Sequence, residues 1–148
     1  MCCWKNTTVS VELPTIVLDS FAVLAYLGGE PGMERVREVL NDALQKGCRV
    51  VISIINVGEV LYITEREVGL AKAQAALAAV DQLPIEILPA ARESVLAAAH
   101  IKAKYRLAYA DAFAVVTAQE LAGRVLTGDP EFESVETLIA VEWLVDKV

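Results

Sequence analysis

"PTIVLDSFAVLAYLGG", residues 14–29, changes its period halfway through. Its first part is a short β-branched run that suits a strand. From Ser20 the apolar residues continue as a helix that stops at Gly28-Gly29, with Ser20 placed as its N-cap. The strand ends on a carboxylate, Asp19, at the join.

The same order recurs along the chain. Pro31 opens a second helix, with Met33, Val36, Val39, Leu40 and Ala43 at helical spacing and Gly47 as its stop. "RVVISI" (49–54) is a strand, followed by helices over 55–69 and 70–83. "PIEILP" (84–89) is a third short strand, and 91–106 and 109–123 form a helix pair. "RVLTGD" (124–129) is a fourth strand and "LIAVEWL" (138–144) a fifth. Apolar strands alternating with helices predict an α/β fold: a mainly parallel sheet covered by helices on both faces. Sites in such sheets form beyond the carboxyl ends of the strands, at a topological switch point.

At 148 residues the chain fits one domain. Residues 1–13 show no clear periodicity and read as a tail, leaving 14–148 as the folded unit. Charged residues interrupt every apolar run before it reaches the ~20 residues of a membrane span, so no membrane association is expected. The N-terminus lacks a basic start and a long apolar stretch, which predicts a cytoplasmic protein and makes the sequon at Asn6 meaningless. Cys2, Cys3 and Cys48 lack C-x-x-C spacing, and His100 is the single histidine, so neither a zinc site nor a Ser-His-Asp triad has support. The net charge of −7 argues against a protein that wraps nucleic acid with a basic surface. It is compatible with a nuclease whose carboxylates hold metal ions, because the ions supply the charge that meets the phosphate.

Four acids stand out by position. Asp19 and Asp129 end the first and fourth strands. Glu59 lies in a helix between Ile55 and Ile63, at i−4 and i+4, on an apolar face. Asp111 precedes the run "AFAVV", which is apolar all round the wheel and implies a helix buried on most sides. Local roles exist for three of them: Asp19 and Asp111 suit N-caps, and Asp129 before Pro130 suits a turn. Glu59 has no basic partner on its own face, since Arg66 is two turns away. Convergence on one pocket explains all four together. Clustered carboxylates either take up protons or need a cation, and hard Mg²⁺ or Mn²⁺ suits oxygen ligands where His and Cys are scarce.

"VLDSFAVLAYL", "SIINVGEVLY", "LAYADAFAVVTAQ" and "VLTGDPEF", in that order, resemble the four acidic motifs of PIN-domain ribonucleases, particularly the toxins of VapBC-type toxin–antitoxin pairs. The resemblance covers 14 to about 143. It implies a PIN-like three-layer α/β/α sandwich of about five strands. It also implies a metal-dependent endoribonuclease that hydrolyses RNA by metal-activated water, with Asp19, Glu59, Asp111 and Asp129 binding Mg²⁺ or Mn²⁺. Ser20 and Thr127 match hydroxyl residues beside the first and last acids, and Glu131 or Glu133 is the candidate for a further acid. Homodimerisation and inhibition by a small antitoxin protein are implied as well.

Lys102, Lys104 and Arg106 precede the third motif, with Lys102 and Arg106 on one helical face, and are candidates for holding RNA phosphates. A solvated helix end explains them equally well. Aromatics are sparse and scattered, so no stacking platform for unpaired bases is expected; Tyr26 and Tyr62 lie on helices that carry motif residues, and core packing explains them as well as a role at the site does. Two rival readings remain: a PIN-like binding module without activity, and a phospho-acceptor switch. The second wants an acidic pair after the first strand, which is missing here.

Overall fold

The computed structural model describes residues 12–145. Most of the expected tail, with Cys2, Cys3 and Asn6, lies outside the described residues.

Five strands form one sheet: β1 (Thr15–Leu18), β2 (Arg49–Ser53), β3 (Glu86–Leu88), β4 (Arg124–Thr127) and β5 (Ala140–Trp143). Their order is β3-β2-β1-β4-β5, and every neighbouring pair is parallel. The expected parallel α/β sandwich is therefore present. The chain builds outward from β1 to β3 on one side, then returns to place β4 on the other side of β1. That reversal puts the switch point between the carboxyl ends of β1 and β4.

Alternation along the strands builds two cores. Ile16, Leu18, Val50, Ile52 and Leu126 face one layer, packed with Ala22, Val23, Val36, Val39, Leu40, Val57, Val60 and Val80. These come from α1 (Ser20–Gly28), α2 (Met33–Leu44), α3 (Ile54–Val68) and α4 (Leu70–Gln82). Val17, Val51 and Val125 face the other layer, against Ala98 and Ile101 of α5 (Arg92–Lys104) and the apolar run of α6 (Tyr109–Leu121). With period two, successive β-branched residues are buried on opposite faces, which only a sheet covered on both sides allows.

Helix α6 is the most enclosed element, with every residue from 111 to 118 buried. It packs on α5, α3, β1, β2 and β4. Its all-round apolar wheel is thus explained, and so is the isolation of Asp111, the one acid within its buried stretch.

Several ends differ from the sequence reading. Asp19, not Ser20, caps α1, because its Oδ1 accepts from the Ala22 N–H at 2.9 Å. Pro31 lies in a turn, and α2 opens after Gly32, whose φ of 100° places it in the left-handed region that glycine tolerates. That helix stops at Leu44, short of Gly47. Helix α5 ends at Lys104, so Arg106 lies beyond it and shares no helical face with Lys102. The segment after β4 forms a 3-10 turn, η1 (Pro130–Val135), that periodicity does not announce. Among the described residues no helix is long and apolar enough to cross a membrane.

Candidate functional site

Each acid is delivered to the carboxyl end of the sheet by a different element. Asp19 follows β1 and Asp129 follows β4. Glu59 stands on α3, and Asp111 is the third residue of α6. Asp111 is not a cap: the N-cap is Ala108, which offers no side-chain bond. The Ala108 N–H instead donates to Glu131 Oε2 at 2.9 Å, so an acid from η1 holds the start of the helix.

Carboxylate oxygens of Asp111, Asp129 and Glu131 lie within 4.8 Å of one another. Asp19 is connected to them through Thr127. The Thr127 hydroxyl donates to Asp19 Oδ2 and accepts from the Asp129 N–H at 3.0 Å. Asp129 in turn accepts from the Glu131 N–H at 2.9 Å, capping η1, so its turn role and its place beside Asp111 coexist. Glu59 is held at both oxygens: Ser20 donates to Oε1, and the Tyr62 hydroxyl donates to Oε2 at 3.4 Å. The hydroxyl expected to cap α1 is thus turned toward an acid of another helix.

Burial makes these charges expensive. Asp19 is fully buried, which pushes its pKa up to about 7 against the opposing bonds from Thr127 and Ala22. Asp111 is 2% exposed, and its pKa is pushed up to about 9. Burial is the larger cause, followed by repulsion from Asp19, Asp129, Glu59 and Glu131. A carboxyl in this position takes up a proton unless a cation is present. The donor set consists of hard oxygens at mutual distances that one small divalent ion can span, so the residues fit Mg²⁺ or Mn²⁺.

Two further residues shape this end of the sheet. Asn56, one helical turn before Glu59, is fully buried and donates through Nδ2 to the carbonyl of Ala110, the residue before Asp111. Its Oδ1 is the one buried side-chain oxygen or nitrogen without a partner among the described residues. Sequence reading passed over it, although its i−3 spacing from Glu59 was a usable signal. Gly128 separates Thr127 from Asp129, and a Cβ there would lie 2.3 Å from Phe21 Cε1. The tight "TGD" turn therefore needs glycine.

The expected cations are less concentrated. Lys102 and Lys104 are exposed in the last turn of α5. Arg106 lines a shallow depression with Pro130, Glu131, Glu133 and Ser134, beside the acids. Of the two candidates for a further acid, Glu131 joins Asp111 and Asp129, whereas Glu133 faces that depression. His100 is exposed on α5, and Cys48 is buried with its thiol on the Val39 carbonyl, so neither stands among the acids.

The family model described as "PIN domain" matches residues 16–138. No curated protein matches the sequence. Among solved structures, DNA-bound VapBC from Salmonella typhimurium is similar at a TM-score of 0.70 and 20% identity, covering 90% of this chain and 100% of that one. The Mycobacterium tuberculosis VapC20, described as a sarcin–ricin-loop-cleaving toxin, has a TM-score of 0.66 at 15% identity and covers 81% and 94%. FitAcB from Neisseria gonorrhoeae has a TM-score of 0.63 at 22% identity and covers 87% and 97%.

Proposed function

Because this chain belongs to the PIN-domain family, we propose that it is a Mg²⁺- or Mn²⁺-dependent endoribonuclease and the toxin of a toxin–antitoxin pair, acting through residues 14–148. The observation that carries the reading is Asp111: a buried carboxyl among four other acids, pushed up by burial and by their repulsion. A fold gains nothing from such a group unless a cation completes it.

Asp111, Asp129 and Glu131 would hold the ion, with Asp19 and Glu59 completing the acidic wall. A bound divalent ion supplies the charge that activates water and stabilises an in-line displacement at phosphorus. The chain's own residues do the positioning. Thr127 ties Asp19 to the Asp129 backbone, Ser20 fixes Glu59, and Glu131 anchors the start of the helix that carries Asp111. Arg106 beside Glu131 is suited to a substrate phosphate, with Lys102 and Lys104 as more distant contributors.

An apolar groove of about 560 Å³ between α1, α3 and α4 supports the antitoxin partner. Leu24 and Ile63 line it, each one turn beyond Ser20 and Glu59, so a peptide seated there would lie against the site. The structural neighbours described as VapBC complexes point the same way. A homodimer and a cytoplasmic location belong to the same proposal.

The test is cleavage of a mixed RNA pool by the purified chain, freed of any bound partner, with Mn²⁺ or with chelator. Wild type should cut only with the ion. Asp111→Asn should fold and lose at least about 100-fold, since even groups that merely support a metal ligand are worth 10–100-fold. Cleavage that survives the substitution would overturn the reading. Absence of both cleavage and ion binding in wild type would favour the inactive binding module.

A further inference from the structure

Asp111 is the third helical residue of α6, counted from the N-cap Ala108. An acid at that position ordinarily serves its own helix. In a capping box its side chain reaches back to the N-cap N–H, and the positive end of the helix favours the same arrangement. The N-cap itself offers no side-chain bond here, so nothing else in α6 competes for the role. Yet the donor is already taken: the Ala108 N–H donates to Glu131 Oε2 at 2.9 Å, across 23 residues of chain.

Glu131 is fixed for that contact by its own segment. Its N–H donates to Asp129 Oδ1 at 2.9 Å, and its carbonyl accepts from Ser134 Oγ at 2.9 Å. The same Ser134 oxygen lies 3.3 Å from the Arg106 carbonyl, on the loop that leads into α6. On the other side of the first turn, Asn56 Nδ2 donates to the Ala110 carbonyl at 3.2 Å. Two distant elements thus hold the turn that ends at Asp111.

We propose that Glu131 is a positioning residue: by occupying the Ala108 N–H it keeps Asp111 from capping its own helix, and so leaves the Asp111 carboxyl in the acid cluster for a divalent cation. The inference rests on the metal-site reading and gives Glu131 a part that does not depend on its binding the ion. Asp111 is repelled by Asp19, Asp129, Glu59 and Glu131. An open N–H one helical turn away is a better partner for a carboxylate than four like charges. Glu131 removes that alternative. A carboxylate has two oxygens, so its bond to Ala108 leaves the second available to the ion.

The test is Mn²⁺ calorimetry, with a thermal melt of each protein, on the chain freed of any bound partner. The proteins are wild type, Glu131→Gln, Glu131→Ala and the double variant Glu131→Ala/Ala108→Pro. Glu131→Ala opens the Ala108 N–H to Asp111, and Mn²⁺ affinity should fall at least about 10-fold, as for loss of a group that orients a metal ligand. Glu131→Gln keeps an acceptor oxygen and should lose clearly less. Ala108→Pro removes the donor altogether, at a residue whose φ of −62° proline adopts. With no N–H to draw Asp111 away, the double variant should recover most of the affinity, although it carries no acid at position 131.

Recovery of that kind has no explanation if Glu131 acts only as a ligand. If the double variant folds and binds as weakly as Glu131→Ala, or if Glu131→Ala binds as tightly as wild type, the positioning role is overturned while the metal site stands. Should the melt show that the double variant does not fold, Glu131→Gln decides. A loss as large as that of Glu131→Ala overturns the proposal, and a clearly smaller one upholds it. Wild type that binds no Mn²⁺ would refute the metal-site reading and this inference with it.

Discussion

Asp111 and Glu142 are both partly or wholly buried carboxylates near the β1–β4 side of the sheet, and their surroundings treat them in opposite ways. Glu142, on β5, receives Arg35 through Nε at 2.7 Å and Nη2 at 3.2 Å, and Arg124 through Nε at 3.0 Å. These bonds hold its carboxyl below the ordinary range. Glu86 is held down in the same way by Arg49, through paired bonds of 2.8 Å. Asp111 meets four acids and is pushed up. Where the chain uses carboxylates to tie strands together it provides arginines from within. At the carboxyl ends of β1 and β4 no arginine pairs with Asp19, Asp111 or Asp129 among the described residues, which is what the proposed metal site requires. The arginines that open β2 and β4 show that this sequence can pair its acids when pairing is the purpose.

The contrast is broken most forcefully by pH and metal together. Asp111 and Asp19 bind protons more tightly folded than unfolded, so their contribution is complete below the ordinary carboxylate range. It is lost as pH rises through about 7 and about 9. The arginine-held Glu86 and Glu142 have depressed values and contribute in the other direction, losing stability as pH falls through their folded pKa. With chelator, the melting temperature of wild type should therefore decline from mildly acidic to alkaline pH. Saturating Mn²⁺ should reverse that decline. At 100 times its Kd an ion adds about 2.7 kcal/mol, or roughly 5–10 °C for a chain of this size. Asp111→Asn should flatten the pH profile and forfeit most of the Mn²⁺ gain. A wild-type profile that is level with pH and indifferent to Mn²⁺ would erase the contrast.

Asn56→Val tests the link between the two helices that carry Glu59 and Asp111. The substitution removes a buried, unpartnered oxygen and also the Nδ2 bond to the Ala110 carbonyl, two opposing effects of similar size, so urea unfolding should show stability changed by no more than about 1 kcal/mol. Mn²⁺ affinity by calorimetry should nevertheless fall about 10-fold, the lower end for a supporting residue. Equal losses in both measurements would make Asn56 a packing residue only.

The smallest effect belongs to the paired region. Glu142→Gln breaks bonds to arginines that are 36–41% exposed, where solvent screening leaves little net gain. Unfolding should become easier by at most about 1 kcal/mol, with cleavage intact. A larger loss would mean that this network supports the site through β4.

Much of the architecture was readable in advance, because strand and helix periods are local properties. Val50, Val51 and Ile52 announce a strand buried on two faces, and the all-apolar wheel of 112–118 announces an enclosed helix. What misled was local plausibility. Asp19 and Ser20 are adjacent and both cap helices well, and the choice fell to Asp19 because the Ser20 hydroxyl is claimed by Glu59, 39 residues away. Lys102 and Arg106 share a face only if the helix continues, and it ends at Lys104. Glu131 and Glu133 are indistinguishable along the chain, and η1 turns only the first toward Asp111. Tyr62 suits a packed helix by composition, yet the ring lies outside the core.

The sequence by itself determined the order of strands and helices, the two-sided burial of the sheet, and which four acids sit at element ends or on apolar faces. These follow from side-chain periodicity and stop signals within a few residues. Only the tertiary structure decided that Asp111 is not a cap, that Glu131 belongs beside it, that Ser20 serves Glu59, and that Tyr62 faces outward. Each of these depends on distances between segments far apart in the chain. The energy of a carboxylate is set by its burial and by the charges a few ångströms away, and neither is a property of its neighbours in sequence.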